Sequence, residues 1–289
     1  MVEDGQPAAQ IVLLGPLSID RYVGEGAPAV AVPGGGVMNM AVHWANDGIA
    51  STVLSRVGAD ASALVAMLRH HAITSSSALV CPGSSSSVEV SIGADRQPSM
   101  NRFQEGVWHE LRLTTEEDAI VAAAKHLHVV LVTGGVDELA RLSAAGTLRS
   151  VTVSGDFLSF RRYTIERFAS TMAHLGIAFV GWPGPPDDPV VDALAGVVFE
   201  LGKLAVVTMG ASRVVVFDGR HGATDKHVFP VEAQRVTGTT AGCGDAFIAR
   251  FLSTWWATGD IGRSVTAGMR HGALATSWRW ALPDSAYPS

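Results

Sequence analysis

The chain has 289 residues, 47% of them hydrophobic and 17% charged, which suffices for one large core and gives no sign of two independent ones. A net charge of −6 and a pI near 5.9 argue against a nucleic-acid partner, whose phosphate backbone calls for clustered lysine and arginine. No apolar run reaches the roughly 18 residues that span a bilayer, the acidic start Met1–Gln10 lacks a signal-peptide pattern, and two cysteines make no disulfide framework, so a single domain over residues 1–289 in the cytoplasm is expected.

Gln10–Leu14 is a short apolar run suited to a buried strand, and Asp20 follows just beyond it. In open α/β sheets ligands gather at strand ends, where a carboxylate can accept bonds from two sugar hydroxyls; the other reading has Asp20 capping a turn. Residues 21–32 alternate small and apolar side chains, the pattern of an antiparallel ribbon outside the main layer. Pro33-Gly34-Gly35-Gly36 then opens a helix in which Asn39 offers both a donor and an acceptor, with bare backbone that a polyol can approach.

Further buried strands are expected over Thr52–Val57, His128–Thr133, Ser150–Val153, Ile177–Val180 and Leu204–Thr208, with helices between them. Residues 84–103 form a second expected ribbon, and the two ribbons together suit a water-excluding lid, or else two plain surface hairpins. Thr114 and Glu117 fit a capping box, Asp188-Pro189 fits an N-cap with proline in the first turn, and Arg161-Arg162 reads as an exposed helix start. His126 and His128 share one strand face without metal-ligand spacing, and the tryptophan pairs Trp255-Trp256 and Trp278 with Trp280 suit a core or a subunit contact.

The densest signal comes last. Val236–Gly244 is a glycine-rich turn that runs into a helix with Asp245 in its first turn and Phe247, Phe251 and Trp255 along one face, stopped at Gly259. Unpaired N–H groups at such a helix start cradle phosphate, and a carboxylate beside them can take a proton from an alcohol; alternatively the glycines serve backbone geometry and Asp245 the helix dipole. A Walker-type loop and an early Gly-x-Gly-x-x-Gly are both absent from the sequence, which removes two other nucleotide-binding classes.

Asp20, the Gly34–Gly36 turn and the Gly242–Asp245 turn, in this order and spacing, resemble the ribokinase-like carbohydrate kinase (PfkB) family from Ile11 to about Ala281. The likeness is greatest to its fructoselysine-phosphorylating branch, through Asp95-Arg96, Phe103–Val107, Leu113–Asp118 and Val153–Phe157. The resemblance implies a three-layer α/β sandwich with a mostly parallel sheet and a small β lid, and ATP-dependent transfer to a primary hydroxyl of a sugar or sugar derivative. It further implies Asp245 as base, Gly242, Cys243 and Gly244 as anion hole, Asp20, Gly35, Gly36 and Asn39 as sugar contacts, Thr208 and Gly210 beside ATP, and magnesium bridging the phosphates without a protein cage. Another ketose, ribose or a nucleoside is the alternative substrate, and a binding protein with weakened catalysis the alternative class. Two departures bear on this. Thr239 stands where many relatives hold a monovalent cation with Asp, and residues 181–188 lack the Asn-x-x-Glu found in many relatives. Arg213 and Arg250 replace small residues near the nucleotide and read as solvent or packing side chains, Arg21 and Arg102 are candidates for the amino-acid end of the substrate, and the lid edges allow a homodimer.

Overall fold

A computed structural model describes residues 11–24 and 27–288; Met1–Gln10, and Glu25-Gly26 within the first expected ribbon, lie outside the described residues. In chain order the strands are β1 Ile11–Leu14, β2 Ser18–Gly24, β3 Ala27–Gly34, β4 Thr52–Leu54, β5 Thr74–Ser75, β6 Ser86–Ile92, β7 Pro98–Gln104, β8 His126–Val130, β9 Thr152–Ser159, β10 Ile177–Gly181, β11 Leu204–Thr208, β12 Arg213–Asp218 and β13 Asp225–Pro230. The helices are α1 Gly36–Asn46, α2 Ser62–His70, α3 Thr115–Ala123, α4 Thr133–Ala144, α5 Ile165–Met172, α6 Pro189–Leu201, α7 Cys243–Thr258 and α8 Ile261–Ala275.

Nine strands form one sheet in the order β13-β12-β11-β10-β9-β8-β1-β4-β5, parallel throughout except for β12 and β13 at one edge. The period of two along each strand sends alternate side chains into two cores. Ile11 and Leu13 face α1, α2, α7 and α8, whereas Val12 and Leu14 face α3 to α6. This is the expected three-layer sandwich. Its direction of growth reverses at β1, since β4 and β5 lie on one side and β8 on the other, and at such a reversal a crevice opens beyond the strand carboxyl ends.

The two expected ribbons form a second sheet in the order β3-β2-β6-β7, two antiparallel hairpins joined through the parallel pair β2 and β6. Tyr22, Val88 and Val90 make its small apolar face, with Trp280 packed against it. The tip of the β6–β7 hairpin reaches the loop before α7: the Thr240 amide donates to the Arg96 carbonyl (3.3 Å), and the Thr240 hydroxyl donates to Gln97 Oε1 (2.8 Å).

Local signals explain several element ends. Thr114 accepts from the Glu117 amide while Glu117 accepts from the Thr114 amide, which is the capping box at α3. Asp188 accepts from the Val190 amide at α6, and Gly259 ends α7 in the left-handed region. Four expectations change, the first being that the strand expected at Thr52–Val57 ends at Leu54. The strand placed at His128–Thr133 is His126–Val130, because Thr133 already starts α4; the strand placed at Ser150–Val153 runs from Thr152 to Ser159; and Arg161-Arg162 lie in a single 3-10 turn, with α5 starting at Ile165 under a Thr164 cap. Arg56, next to β4, is buried and pairs with Glu117 at 2.6 Å, so the end of the expected strand Thr52–Val57 is a charged contact to α3. Among the described residues no helix is long and apolar enough to cross a membrane.

Candidate active site

The crevice at the sheet reversal is floored by Gly15 and Val130 and closed above by the starts of α1 and α7. Helix α1 is buried from Val37 to Trp44, and Trp44 Nε1 donates to the Ala249 carbonyl (2.9 Å), so the two helices are held as one unit. Their first turns therefore face each other. Asn39 Nδ2 donates to Asp245 Oδ2 at 2.7 Å.

Glycine is needed here for close approach. A Cβ on Gly36 would stand 3.1 Å from Asp245 Oδ1, and one on Gly34 would stand 2.2 Å from Asp20 Oδ2. The turn thus admits two carboxylates, one on either side. Gly35, with φ of 99°, is the N-cap of α1 and lies against the Pro16 carbonyl, so its contribution is backbone placement. Ser18 Oγ donates to Asp20 Oδ1 at 2.6 Å, and Asp20 is only 6% exposed.

Burial dominates the electrostatics. It raises Asp245 from 3.8 to about 6, against the Asn39 hydrogen bond, which favours the ionised form. Burial also lifts Asp20 to about 7, with the Asp245 charge adding to the effect. A third carboxyl, Asp156 on β9, is raised to about 7 by burial and by Asp245, and accepts the Leu158 amide at 2.8 Å. Sequence reasoning assigned Asp156 no role. Its signals were its place in the Val153–Phe157 stretch that carries the resemblance and an acidic residue inside a strand.

At the start of α7 the amides of Gly242, Gly244 and Asp245 donate to no acceptor among the described residues, while that of Cys243 donates to the Thr240 carbonyl at 3.3 Å. Three open donors remain for an anion. Gly242 has φ of 75° and would bring a Cβ to 2.3 Å from the Ala281 carbonyl, whereas a Cβ on Gly244 would meet open space. The Cys243 thiol is pushed up to about 12 by burial and the nearby Asp245, so it is a packing group. Thr239 is buried, accepts from the Ala241 amide (3.2 Å) and donates to the Arg96 carbonyl (3.5 Å).

Thr208 ends β11, its hydroxyl 3.5 Å from the Val180 carbonyl, and Gly210 is exposed in the following turn with φ of 56°. Both stand at the same carboxyl edge of the sheet as Asp156. Arg213 lies 3.8 Å from Asp187, and Arg250 donates to Asp47 at 2.9 Å, so each stands beside a carboxylate. His126 and His128 both bond Ser154 Oγ and are held neutral to about 3 by burial.

Three orphaned polar atoms surround this crevice: Asn39 Oδ1, Tyr22 Oη and Tyr287 Oη are buried without a hydrogen-bond partner. Burial, and after it the charge of Asp20, opposes ionisation of both phenols, while the backbone of Ala281 and Leu282 lies beside them without full hydrogen-bond geometry. Buried polar atoms left open at a cleft ask for a hydroxylated ligand. Neither tyrosine was foreseen from the sequence.

Comparison with known proteins accords with this geometry. No protein-family model matches the chain. It is 26% identical over 244 residues to fructoselysine 6-kinase of Escherichia coli strain K12, covering 82% of this chain and 87% of that protein. Among solved structures it matches adenosine kinase of Schistosoma mansoni in complex with 2-fluoroadenosine, with a TM-score of 0.80, 13% identity and coverage of 96% and 98%. It also matches a putative ribokinase II of E. coli in complex with ATP and Mg2+, with a TM-score of 0.75, 15% identity and coverage of 97% and 96%. The chain has the ribokinase fold, and it resembles in sequence the carbohydrate kinases built on that fold.

Proposed function

We propose that the chain is an ATP-dependent kinase that phosphorylates a primary hydroxyl of a sugar or sugar derivative, with a fructoselysine-like compound as substrate. The observation that carries this reading is Asp245: a half-buried carboxylate, raised to about 6, oriented by Asn39 and set in the same helical turn as three unpaired amides. A base of that strength is ionised at neutral pH and still accepts a proton from an alcohol as attack begins.

In this mechanism Asp20 and Asn39 hold the sugar hydroxyls, and the bare backbone of Gly35 and Gly36 lets the ring come close. Asp245 takes the proton of the primary hydroxyl. The oxygen so freed bonds to the γ-phosphorus while the bond from phosphorus to the β,γ-bridging oxygen breaks, and that electron pair leaves with ADP. The open amides of Gly242, Gly244 and Asp245 steady the charge on the transferring group, while the Cys243 amide holds the turn through the Thr240 carbonyl. Thr208 and Gly210 border the nucleotide at the strand edge. Among the described residues no group of three carboxylate, histidine or cysteine side chains could cage a metal, so magnesium would be held chiefly by the phosphates and water, where it neutralises their charge.

The small sheet acts as the lid, since its hairpin tip is fastened to Thr240 beside the phosphate turn. The whole chain works as one kinase domain in the cytoplasm, and two copies can pair through the outer strands β3 and β7, a point gel filtration decides. Thr239 supplies no negative charge, and its hydroxyl is spent within the loop, which supports turnover without potassium.

The test is an ADP-release screen over fructoselysine, fructose, ribose and nucleosides with magnesium, run with and without potassium. Release with fructoselysine at the highest kcat/KM, indifferent to potassium, is expected. A preference for ribose or a nucleoside would reassign the substrate, and sugar binding by calorimetry without any ADP release would make the chain a binding protein.

A further inference from the structure

A second cavity lies one step away from Asp20. In the pairing of β2 with β3, Val32 stands opposite Asp20, and Pro33 precedes the Gly34 that touches the Asp20 carboxyl. Val32 and Pro33 form one wall of a cavity of about 320 Å³, whose other walls include Arg279, Trp280, Asp284 and Tyr287. That volume falls at the small end of ligand pockets. Tyr287 belongs to both places, because it lines the cavity while its buried, unpartnered hydroxyl lies in the field of Asp20.

The charges on this cavity are of opposite sign and uncommitted. Arg279 is exposed and its guanidinium sits over the Trp280 ring at 4.4 Å; Asp284 is exposed on the same rim. Among the described residues neither has an ion-pair partner, and they do not pair with each other. Val32, paired with Asp20 across β2 and β3, and Trp280, whose ring meets Tyr22 at 4.5 Å, give the cavity an apolar wall on the side of Asp20. Opposite charges at the end of an apolar path complement a zwitterion on an aliphatic chain.

The lid arginines do not offer this. In the register of β2 with β6, Arg21 pairs with Glu89 and Asp20 with Val88, so Arg21 and Glu89 point away from the Asp20 face. Arg102 is spent on Glu89 at 3.1 Å. The expectation that Arg21 and Arg102 receive the amino-acid end of a substrate therefore gives way to another pair.

We propose that the cavity bounded by Arg279, Trp280, Asp284 and Tyr287 is a subsite for the amino-acid zwitterion of a sugar-linked amino acid, Arg279 taking its carboxylate and Asp284 its ammonium. This rests on the kinase reading for the orientation of the sugar, whose reacting hydroxyl lies at Asp245 and whose substituted end passes Asp20 and Tyr287. Tyr287 Oη bonds the sugar at the junction, and the linker methylenes lie on Trp280.

The test is calorimetry on the full chain with two ligands, fructoselysine and the conjugate of fructose with butylamine, which keeps the linker and lacks the zwitterion. Fructoselysine is expected to bind at least tenfold more tightly, and Arg279→Met or Asp284→Asn should each remove most of that advantage. Equal affinities for the two ligands in the unmutated chain, no binding of either, or an advantage that survives both substitutions would overturn the subsite. The ligand comparison needs no variant, so a misfolded variant does not remove the test. ADP release separates the two claims: zwitterion-dependent binding without ADP release sinks the kinase reading and leaves the subsite standing, whereas ADP release without any charge-dependent affinity sinks the subsite alone.

Discussion

Replacing Asp20 with Asn should make the free protein more stable and a worse binder of sugar. The carboxyl has an ordinary value of 3.8 and is raised to about 7 in the folded chain. At 1.36 kcal/mol for each pKa unit, ionising it inside the fold at pH 8 costs about 4 kcal/mol, an upper figure because part of the rise is shared with Asp245. The sign follows from the raised value: the fold holds the proton more tightly than the unfolded chain does, so the cost begins near pH 4, grows with pH and is complete above pH 7. Asn keeps the oxygen that accepts from Ser18 Oγ and carries no charge. Urea unfolding should therefore show a gain of about 2–4 kcal/mol at pH 8, shrinking to about 1–2 kcal/mol at pH 5. Sugar affinity should fall at least tenfold, since hydrogen bonds to a charged group contribute about 1.5–3 kcal/mol. A variant less stable than the parent at pH 8, or a gain that does not change with pH, would refute the argument that this carboxyl is held at a cost for the sake of its ligand.

Other outcomes can be checked on the same preparation. Asp245→Asn should lower kcat at least a hundredfold, with sugar affinity by calorimetry nearly intact; a mild loss removes Asp245 from the base role. Because Asp245 must be ionised to accept a proton and sits at about 6, while Asp20 binds sugar best when ionised and sits at about 7, kcat/KM should fall at least tenfold per pH unit below pH 6 and level off only above about pH 8, and a flat profile from pH 5 to 8 would contradict this assignment. Gly34→Ala puts a methyl 2.2 Å from Asp20 Oδ2 and should raise the sugar KM at least tenfold, while Gly244→Ala meets open space and should keep stability within about 0.5 kcal/mol but raise the KM for ATP.

The sequence carried the parts of this structure that rest on local rules. The Phe247, Phe251 and Trp255 stripe, the Thr114 and Glu117 cap and the Leu204–Thr208 run each depend on neighbours a few residues away, and each is where it was expected. The antiparallel edge β12–β13 was not foreseen, since half of β13 is charged or polar and only its pairing to β12 makes it a strand. His126 starts β8, although two histidines look unlike buried strand residues; their shared contact with Ser154 on the neighbouring strand resolves the conflict. In the site, the glycine turns and the two carboxylates beside them were legible because close backbone approach demands glycine. Asp156, Tyr22 and Tyr287 were not, because their meaning comes from burial beside Asp20 and Asp245, which only the folded chain creates.

The bond from Thr240 to the hairpin tip at Arg96 and Gln97 has a consequence for economy in the cell. Water is the commonest rival acceptor for any activated phosphoryl group, and an open crevice beside ATP would squander it. In the proposed kinase, a small sheet that covers the sugar and bonds the loop before α7 would tie the shape of the phosphate turn to the position of that cover. Under that reading the rate of ATP hydrolysis without sugar would gauge how firmly the hairpin tip holds Thr240, and loss of the Gln97 side chain should raise it.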